Sequence, residues 1–402
     1  MIPQPLTVAT DWGAAAFPCL SLLFGAIAGG FVLYWRALRR SIPPRLPTVV
    51  LVAAGGLIAA WCMPVLFSSD VYAYAAYGEM ARIGLDPYAL VPLGTGDPVI
   101  RAAQLQWITA FPICVYGPLF VALARFFVST LAPLGPLAQL DAFRVLSSAA
   151  LLFCVPLAYA AYDGDRAARR RAAVTIAVNP VTIWCAAEGH NDVLALAVVL
   201  AGIALLRLHR TAAGAAVMAV SALIKAPGAA ALLAVAAVER RTRAAAIAGL
   251  AVVVALSLPL IRGGLAQVAL HGTYAPQASL QAIAGPLGRA PAIAIATALA
   301  ILIAGRGLAL VRTGSREGWI WLGLAGWTML PSPYPWYGIW LLAVAAIAPG
   351  SRAGMAAIAL SLTSLLRYVP DAAGTPNAPL AVTVGVLASL PLLALCYTKR
   401  PV

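Results

Sequence analysis

Charge is scarce in this sequence. Asp, Glu, Lys and Arg make up only 10% of the 402 residues and hydrophobic residues 62%, whereas an ordinary soluble domain is roughly a quarter charged. That balance excludes a soluble globular protein. Acidic residues are the rarer sign, 13 against 27 basic ones, and lysine is nearly missing, with Lys225 and Lys399 its two occurrences. Close cysteine pairs are lacking too. Cys19, Cys62, Cys114, Cys154, Cys185 and Cys396 stand singly, with no metal-ligand spacing, so they read as small buried hydrophobes and no metal site is expected. No nucleotide-binding loop and no convincing internal repeat are visible. A cleavable signal peptide is not expected either, because the start carries Asp11 and the first apolar run is followed by arginines; that run is expected to stay as an anchor.

What the sequence has in quantity is apolar length broken by 34 glycines and 30 prolines. Membrane helices tolerate both, because neighbouring helices satisfy the freed backbone groups. The expected fold is therefore an all-α integral membrane protein. A span needs about 20 apolar residues, fewer where it ends in a cavity. Thirteen segments qualify, near 14–34, 47–67, 142–162, 173–187, 192–207, 211–224, 228–238, 244–261, 291–311, 318–331, 336–349, 353–369 and 378–397. The run 228–238 is too short to cross alone and reads as half of a broken helix.

The net charge of +14 would point to nucleic acid in a soluble chain. Here it reports topology, and no nucleic-acid partner is expected. The apolar run 112–131 is best taken as an interfacial helix with both ends on one side, because counting it as a span would set Arg166, Arg169, Arg170 and Arg171 opposite Arg36, Arg39, Arg40 and Arg45. With that choice 19 of the 27 basic residues fall on one side, together with Asp163, Asp165, Glu239 and Glu317 alone among the acids. That side reads as the cytoplasm and includes the C-terminus. The N-terminus and the long loops 68–141 and 262–290 fall outside, so the working surface is expected on the periplasmic or extracellular side of a bacterial inner membrane.

Ionisable groups at the ends of membrane helices are costly and mark candidate sites. Asp70 emerges where apolar sequence ends, and Tyr74 and Tyr77 follow at a spacing that puts all three on one helix face. They read as a surface carboxylate flanked by aromatics able to stack on a sugar, or as a helix cap with belt tyrosines. Asp86 and Tyr88 lie further along the same loop. Glu188, His190, Asn191 and Asp192 form a polar knot beside Gly189, in which Asn191 or Asp192 is alternatively a helix N-cap. Lys225, at the break Lys225-Ala226-Pro227, suits a point-charge contact to a phosphate, or snorkels. Tyr334, Trp336 and Tyr337 sit in a proline-dense turn, as a rigid aromatic wall for sugar or lipid or as belt residues.

In this order the motifs Ser69-Asp70-Val71-Tyr72, Gly84-Leu85-Asp86-Pro87-Tyr88, Tyr116-Gly117-Pro118-Leu119, Gly189-His190-Asn191-Asp192, Lys225-Ala226-Pro227 and Tyr334-Pro335-Trp336-Tyr337 resemble the GT-C superfamily of membrane glycosyltransferases, particularly the polyprenol-phosphate-mannose-dependent mannosyltransferases of bacterial envelopes. The resemblance covers most of the chain. It implies one multi-spanning domain over residues 1–402, a catalytic outer loop at 68–141 holding juxtamembrane helices, and Asp70 as the general base on an acceptor hydroxyl. It further implies a polyprenyl-phosphate sugar donor, with mannose the family's sugar, a glycolipid or envelope glycan acceptor, inversion at the anomeric carbon, and no cofactor. In the simplest GT-C arrangement the catalytic loop follows the first span; here it follows the second, so residues 1–46 look like an N-terminal addition. A transporter or flippase of a lipid-linked or small substrate is the main rival reading, since broken helices with polar ends also build carrier sites.

Overall fold

The computed structural model describes residues 16–63, 65, 68–89, 96–106, 111–238, 240–263, 275–369 and 378–396, with the side chains of 16–24 and 238 left out. Asp11, Glu239, His271 and the side chain of Cys19 therefore lie outside the described residues. Cys114, Cys154 and Cys185 are buried as expected, whereas Cys62 and Cys396, near helix ends, are exposed. The fold is all-helical, 78% helix with no strand among the described residues. The chain divides into two compact units, one built from 54–161 and 184–274 and the other from 12–53, 162–183 and 275–402.

Sequence punctuation sets the helix ends. Asp97 caps α4 (Pro98–Gln104), its carboxylate accepting the N–H groups of Val99 and Ile100, and Asp165 caps α7 (Arg166–Ala177) through the N–H of Ala168. These acceptors satisfy donors that a helix start leaves unpaired. Proline opens α5 (Pro118–Leu131), α6 (Pro136–Ala161), α8 (Pro180–Ala187), α11 (Pro227–Val238) and the helix Pro335–Ala345, where its missing N–H costs nothing and its fixed φ suits the first turn.

In the first unit α3 (Asp70–Arg82) lies along α5 and touches α4 and α6, while α9 (Asn191–Arg207) packs on α6 and on α10 (Thr211–Ile224). A core of Met218, Ala219, Ala222, Leu232, Ala246 and Val253 joins α10, α11 and α12 (Arg243–Leu256). In the second unit α1 (Ala16–Leu38) meets α7, where the Tyr34 hydroxyl donates to Thr175 O at 2.9 Å. There the Asn179 amide also donates to Ser361 Oγ at 3.0 Å. The helices Arg289–Arg312 and Gly318–Thr328 pack together, as do Pro335–Ala345 and Arg352–Thr363.

Three helices among the described residues are long and apolar enough to cross a membrane: Pro136–Ala161, Arg289–Arg312 and Ala378–Leu395, the last including a terminal 3₁₀ stretch. The pair α8 and α9, bent by 113°, would make a fourth. This is fewer than the thirteen spans expected from the apolar runs. Many of those runs form helices of 10–17 residues, too short to be counted as spans, among them α2 (Leu46–Trp61), α10, α12 and Pro335–Ala345. The run 112–131 is helical only from Pro118 onward, and 228–238 is a separate helix behind the break at Lys225-Ala226.

Candidate active site

Asp70 is the first residue of α3, where its charge faces the positive end of the helix dipole. Its backbone N–H donates to Ser68 Oγ at 3.0 Å, and its Oδ2 accepts the Tyr116 hydroxyl at 3.0 Å. Tyr116 is carried by the segment entering α5, which runs against the end of α10: the Gly117 N–H donates to Ile224 O at 2.9 Å. A Cβ at position 117 would stand 2.0 Å from the Leu223 carbonyl oxygen, so only glycine allows this approach.

The same junction delivers Lys225. Its residue leaves α10 in an extended conformation, φ −150° and ψ 137°, and its ammonium lies 5.3 Å from the centre of the Tyr116 ring. It pairs with Asp192 Oδ2 at 2.5 Å and donates to Asn191 Oδ1 at 3.1 Å. Asn191 and Asp192 reach this position because α8 and α9 are bent at Gly189, whose φ of +89° favours glycine. The bend sets His190 Nδ1 3.7 Å from Asp70 Oδ2, longer than a hydrogen bond. The Ser147 hydroxyl donates to the His190 carbonyl and holds the bend on α6. Four segments far apart in sequence thus converge on one carboxylate.

Accessibility within the cluster is uneven. The Asp70 side chain retains 19% of its exposure, against 1% for His190, 0% for Asp192 and 10% for Lys225, so Asp70 is the carboxylate an incoming molecule can reach. Burial pushes its carboxyl above the usual carboxylate range and Asp192 adds to that, while Lys225 and the hydroxyls of Tyr116 and Ser68 oppose it. His190 is driven well below the usual imidazole range by burial and then by Lys225, which leaves it neutral at physiological pH.

The sequence-identified residues do not all come together. Asp70, His190, Asn191, Asp192 and Lys225 come together. Tyr74 and Tyr77 stand beside them but are buried and offer no open face. Tyr74 packs edge-on against Tyr116 and Phe120 and shares hydrogen bonds with Asn191, and the Tyr77 hydroxyl donates to Pro112 O at 2.8 Å. They buttress the site in the place of the expected sugar platform. Glu188 is buried and accepts the Trp184 indole N–H at 2.8 Å.

Asp86 is exposed and closes a turn by accepting the Tyr88 N–H, while the Tyr88 hydroxyl donates to Tyr116 O at 3.0 Å. Their contacts thus run to the backbone that carries Tyr116. Tyr334, Trp336 and Tyr337 belong to the second unit. There Tyr334 stacks on Trp336 with ring centres 4.5 Å apart, and Arg367 lies over Tyr334 and donates to its hydroxyl.

Two residues of the first unit escaped the sequence reading as site members. Tyr116 appeared only inside a motif. Arg144 belongs to none of the sequence motifs; it lies over Trp61 at 4.1 Å and donates to Ala187 O at 2.8 Å, bracing the last turn of α8.

A solvent-reachable carboxylate beside a buried cation, set at breaks between apolar helices, defines a candidate group-transfer site in a helical membrane-type protein. Residues 4–241, more than half the chain and including this whole site, match the family described as alpha-(1->6)-mannopyranosyltransferase, N-terminal domain, and the chain belongs to that family. It is 32% identical over 216 residues to alpha-(1->6)-mannopyranosyltransferase A of Mycobacterium tuberculosis, an alignment covering 51% of this chain and 40% of that protein. A second alpha-(1->6)-mannopyranosyltransferase of the same organism is 30% identical over 159 residues, covering 36% of this chain and 25% of the relative. The aligned region is thus less than half the length of either relative. No solved structure matches the chain.

Proposed function

We propose that this protein transfers a mannosyl residue from a polyprenyl-phosphate donor to a hydroxyl of a glycolipid or envelope glycan, with Asp70 as general base. The acceptor oxygen attacks the anomeric carbon, the bond from that carbon to the phosphate oxygen breaks, the acceptor proton passes to Asp70, and the lipid phosphate leaves as an anion. Because that leaving group is already stable as an anion, no strong acid is needed opposite Asp70. A single displacement of this kind inverts the anomeric centre. The names of the relatives suggest an α-1,6 linkage in the product.

The observation that carries the reading is the environment of Asp70. It is the least buried member of the polar cluster, its Oδ2 is fixed by Tyr116, and burial raises its carboxyl above the usual carboxylate range, which makes it a stronger base. Lys225 supplies positive charge in a low-dielectric setting, suited to the developing phosphate anion. Asp192 balances that charge in the resting protein, so donor binding would draw on a cation already positioned. Thirteen spans, some short or broken, with the loop 68–141 outside, are the topology that best sorts the arginines.

The test is incubation of the purified protein with radiolabelled polyprenyl-phosphate mannose and membrane acceptors. Donor-dependent label in the acceptor supports the reading. Release or translocation of donor without transfer would favour a carrier.

A further inference from the structure

The second unit carries a cavity of about 440 Å³ that the sugar-transfer reading does not use. Its polar wall holds Trp35 and Arg39 at the end of α1 and Arg171 on α7, and its apolar wall includes Leu38, Ile347 and Met355. Two arginine-rich segments meet beside it. Residues 36–45 and 163–171 contribute eight arginines against Asp163 and Asp165, and Arg171 joins them by donating to the carbonyls of Arg40 and Ser41. Asp163, the acidic lining residue, is paired with Arg316 at 2.7 Å. The lining charge left over is positive, and the Arg39 guanidinium makes no ion pair or hydrogen bond among the described residues.

We infer that this cavity binds the phosphate headgroup of an anionic phospholipid. The charge selects an anion, and basic pockets at the ends of apolar helices suit such headgroups. What selects a lipid over a soluble phosphate is the surface running away from the cavity. Val32 and Leu33, less than two turns before Trp35 and Arg39 on α1, are 50% and 66% exposed, so a molecule with its phosphate at Arg39 can lay its chains along exposed apolar helix. Trp35, half-buried at the rim, has the amphipathic character that favours the headgroup level. The cavity volume lies within the range of small-ligand sites. Arg171 holds the loop that shapes the pocket, and Arg39 is the exposed contact.

The test follows thermal unfolding of the detergent-purified full chain as dioleoyl phosphatidylglycerol, dioleoyl phosphatidylcholine or sn-glycerol 3-phosphate is added, with native mass spectrometry of the retained lipid. Phosphatidylglycerol should raise the unfolding temperature and remain bound, whereas phosphatidylcholine should do neither. Arg39→Gln and Arg39→Glu, on an exposed side chain whose loss leaves the core intact, should weaken the phosphatidylglycerol effect about tenfold or more, the loss of one charge-assisted contact. Equal effects of the two lipids, or an unchanged phosphatidylglycerol effect in Arg39→Glu, would overturn the inference. So would a full effect from glycerol phosphate alone, which would make the ligand a soluble phosphate.

Discussion

Tyr116 and Asp70 are 46 residues apart in the chain and joined by one 3.0 Å hydrogen bond from phenol to carboxylate. That bond ties α3 to the segment entering α5, and through Gly117 to the end of α10. Position and basicity of the proposed catalytic group are therefore set together.

Tyr116→Phe keeps the ring that packs against Tyr74 and removes the donor. The bond favours the ionised carboxylate, so its loss raises the Asp70 pKa further above the usual range. A base works deprotonated, so activity is lost as pH falls through that pKa, and the acid limb of kcat/KM should move to higher pH in the variant. Below the limb kcat/KM should drop about ten- to a hundredfold, since a hydrogen bond to a charged group contributes about 1.5–3 kcal/mol. A pH–rate profile superimposable on that of the wild type would remove Tyr116 from the mechanism.

The Lys225–Asp192 pair separates a phosphate contact from a structural one. Lys225→Ala leaves Asp192 buried without its cation, a cost of about 3–5 kcal/mol, so the single variant should unfold at lower temperature. Adding Asp192→Asn should restore much of that stability. Donor affinity, measured with a non-transferable analogue, should stay about ten- to a hundredfold weaker in the double variant. Recovery of affinity together with stability would assign Lys225 a structural role alone.

Much of this site is legible in the sequence because polar residues are so few. Asp70, the Glu188-to-Asp192 knot and Lys225 stand out as ionisable groups at the ends of apolar runs, and the breaks at Gly189 and Ala226-Pro227 are where helices end. What periodicity does not reveal is which neighbour covers a face. It placed Tyr74 and Tyr77 on the same side as Asp70, but Phe120 and Phe143 fill the space in front of Tyr74, and only tertiary packing decides that. Asp86 reads as a site acid in its motif, whereas its local geometry makes it a turn closer. Tyr116 was hidden because its partner lies far away in sequence, and Arg144 because an arginine at the edge of an apolar run looks like any helix-end charge. Hydropathy likewise gives apolar length without saying how much of each run one continuous helix takes up.

Gly117→Ala tests the junction that carries Tyr116 and Lys225. The added methyl meets the Leu223 carbonyl, so the segment must shift, and overpacking of this sort costs about 1–3 kcal/mol. A lower unfolding temperature and weaker activity are expected together. Wild-type stability in Gly117→Ala would show that the close approach is not needed.

The proposed topology sets the loop 68–141 outside. Leu134 is 71% exposed, and Leu134→Cys, in a background lacking the exposed Cys62 and Cys396, should label with an impermeant maleimide added to spheroplasts. Ser41→Cys should label only after the membrane is opened. Labelling of Leu134→Cys only from the cytoplasm would mean that the run 112–131 spans.

The most direct test of the central claim is single-turnover transfer from polyprenyl-phosphate mannose by Asp70→Asn. Asn keeps the shape of the side chain and cannot take the acceptor proton. Transfer should fall at least a hundredfold, as general-base catalysis contributes about 10²–10⁴ in rate, with unfolding temperature and donor affinity near those of the wild type. Wild-type turnover by a well-folded Asp70→Asn would contradict the account.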